Sequence, residues 1–160
     1  MAAKILMVCH GNICRSPMAH GLLLHKVQQL KLNWEVDSAG VIDYHEGELP
    51  DPRAIACMKN HGIDITYQRA QPINYDDLKE FDLIYVMDKS NYEHVNNMAR
   101  TEEEVEKVKM IMSEVYPDIE TDVPDPYFGE TKGFENVYKM LDKATDKIIE
   151  KHSNKTVNKQ

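Results

Sequence analysis

The chain has 160 residues, 19 of them basic and 27 acidic, for a formal net charge of −8. That length allows one domain with a sizeable core; the acidity speaks against a nucleic-acid partner, because phosphate backbones select basic surfaces; and no apolar run approaches the roughly 18 residues a membrane span needs. Three cysteines, an odd number, and an N-terminus in which Met1-Ala2-Ala3-Lys4 leads straight into an apolar segment argue against a secreted disulfide framework, so a reducing cytoplasmic compartment is expected.

In chain order, residues 4–8 form a short apolar run with the length of a buried strand. A turn from Cys9 to Pro17 follows, and residues 18–32 read as a helix. Residues 34–38 alternate as a second strand, whereas 40–51 mix Gly, Pro, Asp, His and Tyr and resist regular structure. Residues 52–61 read as a helix with Pro52 at its start and Gly62 as its stop. Residues 83–87 are a third strand and 89–98 a helix capped by Asp88. The acidic run 101–106 is helix-like and is expected to be a solvated face. Residues 108–112 are a weaker fourth strand, and 118–133, with Pro124, Pro126 and Gly129, a loop. Residues 134–150 close the pattern with a helical apolar stripe. The domain is expected to span 1–151, followed by a polar tail, 152–160, that frays.

Strands alternating with helices predict a single-domain three-layer α/β fold, a parallel sheet with helices on both faces. Ligands in such folds sit beyond the carboxyl ends of the strands, where the turn Cys9-His10-Gly11-Asn12-Ile13-Cys14-Arg15-Ser16-Pro17 lies. Successive backbone N–H groups in a tight loop, followed by a helix N-terminus, converge on a phosphate dianion. Gly11 permits unusual backbone angles, Asn12 tolerates the left-handed region, and Pro17 suits a first helical turn. Arg15, separated from Cys9 by five residues, can take two phosphate oxygens with its planar fork. A cysteine facing amides and a guanidinium is favoured as thiolate and is a nucleophile toward phosphorus; Ser16 is placed to donate its hydroxyl to that sulfur. By contrast, the seven histidines are scattered, no Cys/His pair stands at zinc-ligand spacing, and neither metal nor cofactor is expected.

The string Val8 to Pro17 resembles the signature of the low-molecular-weight protein tyrosine phosphatases, and so do Asp37-Ser38-Ala39-Gly40, Asp51-Pro52-Arg53-Ala54, Met87-Asp88-Lys89-Ser90-Asn91 and Val123-Pro124-Asp125-Pro126-Tyr127. The resemblance implies a four-stranded parallel sheet with the phosphate-binding loop after strand 1, and hydrolysis of phosphotyrosine in proteins through a phosphocysteine. It implies Cys9 as nucleophile, Arg15 as phosphate clamp and Asp125 as general acid, with His10, Gly11, Asn12, Ile13, Cys14 and Ser16 forming and supporting the loop. Tyr44 and Tyr127, with His10 and Ile13, line the entrance by analogy, and Cys14 matches a second cysteine that forms a disulfide with the nucleophile under oxidation. Tyrosine-phosphorylated proteins are the implied partners and inorganic phosphate the product. The chain departs from the pattern at Tyr67-Gln68-Arg69-Ala70-Gln71-Pro72, where many relatives carry a histidine and an Arg-Gln pair, and at Phe128, where some carry a second tyrosine.

Three other readings use the same cradle. Arsenate reduction needs two further relay cysteines, and none follows Cys57. A protein-arginine phosphatase resembles this chain but carries threonine at the position of Ile13, whose branched bulk favours an aromatic substrate. A phosphotyrosine-binding module on an inactive cradle is opposed by the presence of Cys9, Arg15 and Asp125 together.

Overall fold

The computed structural model describes residues 3–157, with side chains through residue 153. Its elements are β1 (Lys4–Cys9), α1 (Arg15–Gln29), β2 (Glu35–Gly40), α2 (Pro52–Asn60), α3 (Tyr75–Glu80), β3 (Leu83–Val86), α4 (Lys89–Met98), α5 (Glu102–Lys107), β4 (Val108–Met110) and α6 (Thr131–Val157), with 3-10 turns at Ile111–Glu114 and Pro126–Phe128. The four strands form one all-parallel sheet in the order β2-β1-β3-β4.

Both faces of the central strands are buried, which explains their unbroken apolar runs. Side chains alternate: Ile5, Met7 and Tyr85 join the core formed with α1 and α6, while Leu6, Val8, Ile84 and Val86 join the second core with Leu78 of α3 and Val95 of α4. In α6 the stripe Phe134, Val137, Leu141, Ala144 and Ile148 is completely buried; truncating Phe134 to alanine would cost about 3–5 kcal/mol by loss of transfer energy and an unfilled cavity. Lys26 ties α1 to α6 by donating to Asp142 Oδ1 at 2.7 Å and Thr145 Oγ1 at 2.8 Å. Among the described residues no helix is long and apolar enough to cross a membrane.

Several boundaries differ from the sequence expectation. Helix α1 starts at Arg15, three residues before Met18, because the loop closes directly into its first turn, and it ends at Gln29. Strand β4 stops at Met110, where the chain tightens into a 3-10 turn. Helix α3 has no apolar stripe long enough to show periodicity; a capping box between Asn74 and Asp77 supports it instead. The acidic run is not all solvated: Glu104 is buried and accepts from Tyr75 Oη at 2.7 Å and the Arg100 amide at 2.8 Å. The tail begins as helix, since α6 runs to Val157; residues 158–160 of that expected tail lie outside the described residues.

Strand order sets the position of the site. The chain leaves β1 toward β2 on one side and enters β3 on the other, so the crevice at the strand ends opens between β1 and β3. Cys9 ends β1 and Asp88 follows β3.

Candidate active site

The turn after β1 folds as a cradle because its own side chains brace it. Asn12 adopts a φ of 58°, the left-handed region that asparagine tolerates. From there its Nδ2 donates to Ser16 Oγ at 2.7 Å and its Oδ1 accepts from the Gln71 amide at 3.0 Å. Ser16 Oγ thus receives one hydrogen bond and keeps its own proton, with Cys9 Sγ at 3.0 Å and the Ala39 carbonyl at 3.4 Å. Gly11 does not take a positive φ; a Cβ there would stand 3.0 Å from the His45 ring, which would have to give by a few tenths of an ångström. Gly40 is required more strictly, because a Cβ would lie 3.0 Å from Asn12 N, Gly11 C and His10 O, all backbone atoms of the loop.

Arg15 is 2% exposed. Its Nη1 donates to Asp88 Oδ2 at 2.7 Å and to the Val123 carbonyl at 2.9 Å. Both Nη1 protons are therefore engaged, and the Nε/Nη2 edge of the fork is left for a ligand, with Nη2 3.7 Å from Asp125 Oδ2. Burial opposes the charge on Arg15, but the neighbouring Cys9 sulfur, the hydrogen bond to Asp88 and the Asp125 carboxylate together raise its pKa. Asp88 also caps α4, its Oδ1 accepting from the Asn91 amide at 2.8 Å.

Asp125 sits on the loop after β4, and its Oδ1 accepts from the Tyr127 amide at 3.0 Å. Arg53 holds that loop from α2, donating to the Tyr127 carbonyl at 3.0 Å and the Gly129 carbonyl at 3.1 Å. Asp51 caps α2 and pairs with Arg53 at 3.0 Å, and its amide donates to the Ile13 carbonyl at 2.8 Å. The Asp51–Arg53 pair thus joins the cradle to the Asp125 loop.

Cys9, Arg15 and Asp125 meet in one cavity of about 240 Å³, walled by His10, Gly11, Ile13, Cys14, Tyr44 and Tyr127. Asn12 and Ser16 brace it from behind. Ile42, His45 and Phe128 also line it; Phe128 stands at the family position already noted, whereas Ile42 and His45 carry no motif signal, and only their location in loops at the strand ends points to them. Burial first, then Asp51 and Cys9, push the Cys14 thiol well above its usual range.

The stretch that departs from the family pattern docks against the same loop. Gln68 Nε2 donates to the Pro17 carbonyl at 3.0 Å, and Gln71 Nε2 donates to the Ser38 carbonyl at 2.9 Å. His20 packs edge-on to Tyr67 with ring centroids 5.7 Å apart and lies 3.1 Å from Ser38 Oγ. Burial lowers its pKa to about 4, against the pull of Asp37. Among the described residues the one cluster of side chains with metal-binding geometry, Cys57, His61 and Glu135, contains no residue of the cavity wall.

The model of the family described as low molecular weight phosphotyrosine protein phosphatase matches residues 4–160. The chain belongs to this family. It is 35% identical over 150 residues to the low molecular weight phosphotyrosine protein phosphatase of Sus scrofa, covering 92% of this chain and 94% of that protein. Among solved structures, a protein tyrosine phosphatase from Entamoeba histolytica, with Hepes in its active site, superposes with a TM-score of 0.89 at 34% identity, covering 96% of this chain and 99% of the other. YfkJ from Bacillus subtilis superposes with a TM-score of 0.89 at 29% identity, covering 97% of each chain. In this low molecular weight phosphatase chain the cavity with Cys9 at its base is therefore the candidate active site, formed where the first strand and the β3 end face each other.

Proposed function

We propose that the chain hydrolyses phosphotyrosine in proteins through a phosphocysteine intermediate, releasing inorganic phosphate. The observation that carries this reading is the convergence of Cys9, Arg15 and Asp125 on a single aromatic-walled cavity.

The Cys9 sulfur attacks phosphorus in line and the tyrosine oxygen leaves from the opposite side. A phenolate is a poor leaving group, since tyrosine has a pKa of about 10, so Asp125 delivers a proton as the P–O bond breaks. Water then attacks the phosphocysteine, Asp125 takes its proton, and the Cys9–phosphorus bond breaks with its electron pair returning to sulfur. Ser16, 3.0 Å from that sulfur, donates to it as it leaves. The free edge of Arg15 holds two equatorial oxygens, where charge gathers in the transition state. Loop amides hold the third.

Tyr44 and Tyr127 suit the flat ring of phosphotyrosine, and the depth of the cradle keeps the shorter phosphoserine stem from bringing phosphorus to Cys9. Cys14 shares the cavity wall with Cys9, which supports its role as disulfide partner under oxidation, a protection from irreversible sulfur oxidation. Tyrosine-phosphorylated proteins of the cytoplasm, where thiols stay reduced, are the substrates in this reading.

The test is turnover of p-nitrophenyl phosphate and of phosphotyrosine, phosphoserine and phosphoarginine peptides. Wild type is expected to hydrolyse the aryl phosphate and the phosphotyrosine peptide, and Cys9→Ser neither. Binding without turnover in wild type, or preference for phosphoarginine, overturns the proposal.

A further inference from the structure

At the end of α2 far from the cradle, Cys57 and His61 stand one helical turn apart and face Glu135 of α6. The Cys57 thiol is buried and donates to Glu135 Oε2 at 3.4 Å, while His61 Nε2 lies 2.6 Å from Glu135 Oε1. One ligand atom from each residue lies within 4.8 Å of the others.

These three donors match what a zinc-type ion takes. Thiolate, imidazole and carboxylate are its preferred ligands, at about 2.3, 2.0 and 2.0–2.2 Å. A tetrahedron with such bonds separates its donors by roughly 3.3–3.7 Å, so small rotations of the Glu135 and Cys57 side chains would open the present hydrogen bonds into a coordination shell. The imidazole is already oriented: Tyr138, one turn along α6 from Glu135, stacks on His61 with centroids 3.6 Å apart and planes 8° from parallel. The carbonyl end of α2 adds negative potential beside the cluster. Solvent has access, because the His61 side chain is 31% and that of Glu135 40% exposed, which leaves room for water as fourth ligand. None of the three belongs to the cavity around Cys9, and Cys57 stands six residues along α2 from Asp51, whose amide binds the cradle at Ile13, a rise of about 9 Å.

We propose that Cys57, His61 and Glu135 form a site for a borderline-soft divalent transition ion of the Zn²⁺ class. On binding, the Cys57 S–H bond gives its proton to solvent and a sulfur–metal bond replaces it; the His61 ring changes tautomer, Nε2 releasing to solvent the proton it donated to Glu135 while Nδ1 takes one up, so that the neutral ring binds through Nε2; and Glu135 exchanges its two hydrogen bonds for one metal bond. No electron is transferred. The site joins α2 to α6, so occupancy raises the melting temperature by mass action on the folded state. The cysteine–histidine spacing of four residues at the end of one helix is the trace it leaves in the sequence, one that a search for short zinc-knuckle pairs passes over.

Co²⁺ reads the site directly, because a thiolate ligand to cobalt produces a charge-transfer band. The test uses full-length protein carrying Cys9→Ser and Cys14→Ser, which removes the two thiols of the cradle. One equivalent of Co²⁺ is expected to produce the band, Zn²⁺ to bleach it, and Cys57→Ser to abolish it. Glu135→Gln, which keeps shape and hydrogen bonding, and His61→Ala are each expected to weaken Co²⁺ binding at least tenfold, in proteins shown by circular dichroism and cooperative melting to be folded. Should Cys57→Ser not fold, Glu135→Gln decides. Absence of the band under excess Co²⁺, or a band indifferent to both Glu135→Gln and His61→Ala, overturns the proposal.

Discussion

Asp88 and Arg15 lie 73 residues apart in sequence, yet Asp88 Oδ2 accepts from Arg15 Nη1 at 2.7 Å across the crevice between β1 and β3. One carboxylate therefore caps α4 and fixes the guanidinium so that its remaining edge faces the cavity. Asp88→Asn keeps an oxygen for the cap and loses the charge opposite Arg15. A hydrogen bond to a charged group contributes about 1.5–3 kcal/mol, so kcat/KM for p-nitrophenyl phosphate is expected to fall roughly 10- to 150-fold. Asp88→Ala should in addition lose about 1 kcal/mol of stability with the cap, read by urea denaturation. Undiminished turnover in the asparagine variant would remove Asp88 as the residue that orients Arg15.

Asp125→Ala should slow hydrolysis of aryl phosphates with poor leaving groups by about 10²–10⁴-fold, the range of general acid catalysis. Those with good leaving groups, which depart without a proton, should slow far less. The check is a plot of log kcat/KM against leaving-group pKa; equal slopes for wild type and variant would take the acid role from Asp125.

Gly40→Ala places a methyl group 3.0 Å from three backbone atoms of the cradle. Backbone cannot swing aside as a side chain can, and overpacking of this kind costs about 1–3 kcal/mol. The loop must shift, and turnover is expected to drop more than the melting temperature does. Normal kcat/KM in a folded Gly40→Ala protein would show that the cradle tolerates the displacement.

His20 makes stability depend on pH. The unfolded imidazole takes up its proton near pH 6.5, the folded one only near about 4. Between these values the unfolded state binds more protons, so stability falls as pH is lowered from 6.5 and the loss is complete below about 4. The full swing is on the order of 3 kcal/mol. Urea denaturation of wild type and His20→Gln at pH 7 and pH 4.5 should show the larger drop in wild type; parallel losses would assign the acid sensitivity to other groups.

The strand–turn–helix unit from Lys4 to α1, the alternation that makes a parallel sheet, and the cradle residues from Cys9 to Ser16 are legible in the order of amino acids alone. These are encoded locally: apolar period, turn residues and helix starts are read within a window of about a dozen neighbours. Asp125 was legible only because two prolines and the family motif frame it. That β3 rather than β2 stands across the crevice, and with it that Asp88, seen in sequence as a helix cap, also holds Arg15, emerges from the folded chain. The same holds for Gly40 pressed on the loop, Gln71 completing Asn12, and Arg53 gripping the Asp125 loop. Each of these depends on contacts between distant segments whose geometry is set by strand order and close packing, and no local pattern of residues carries that information.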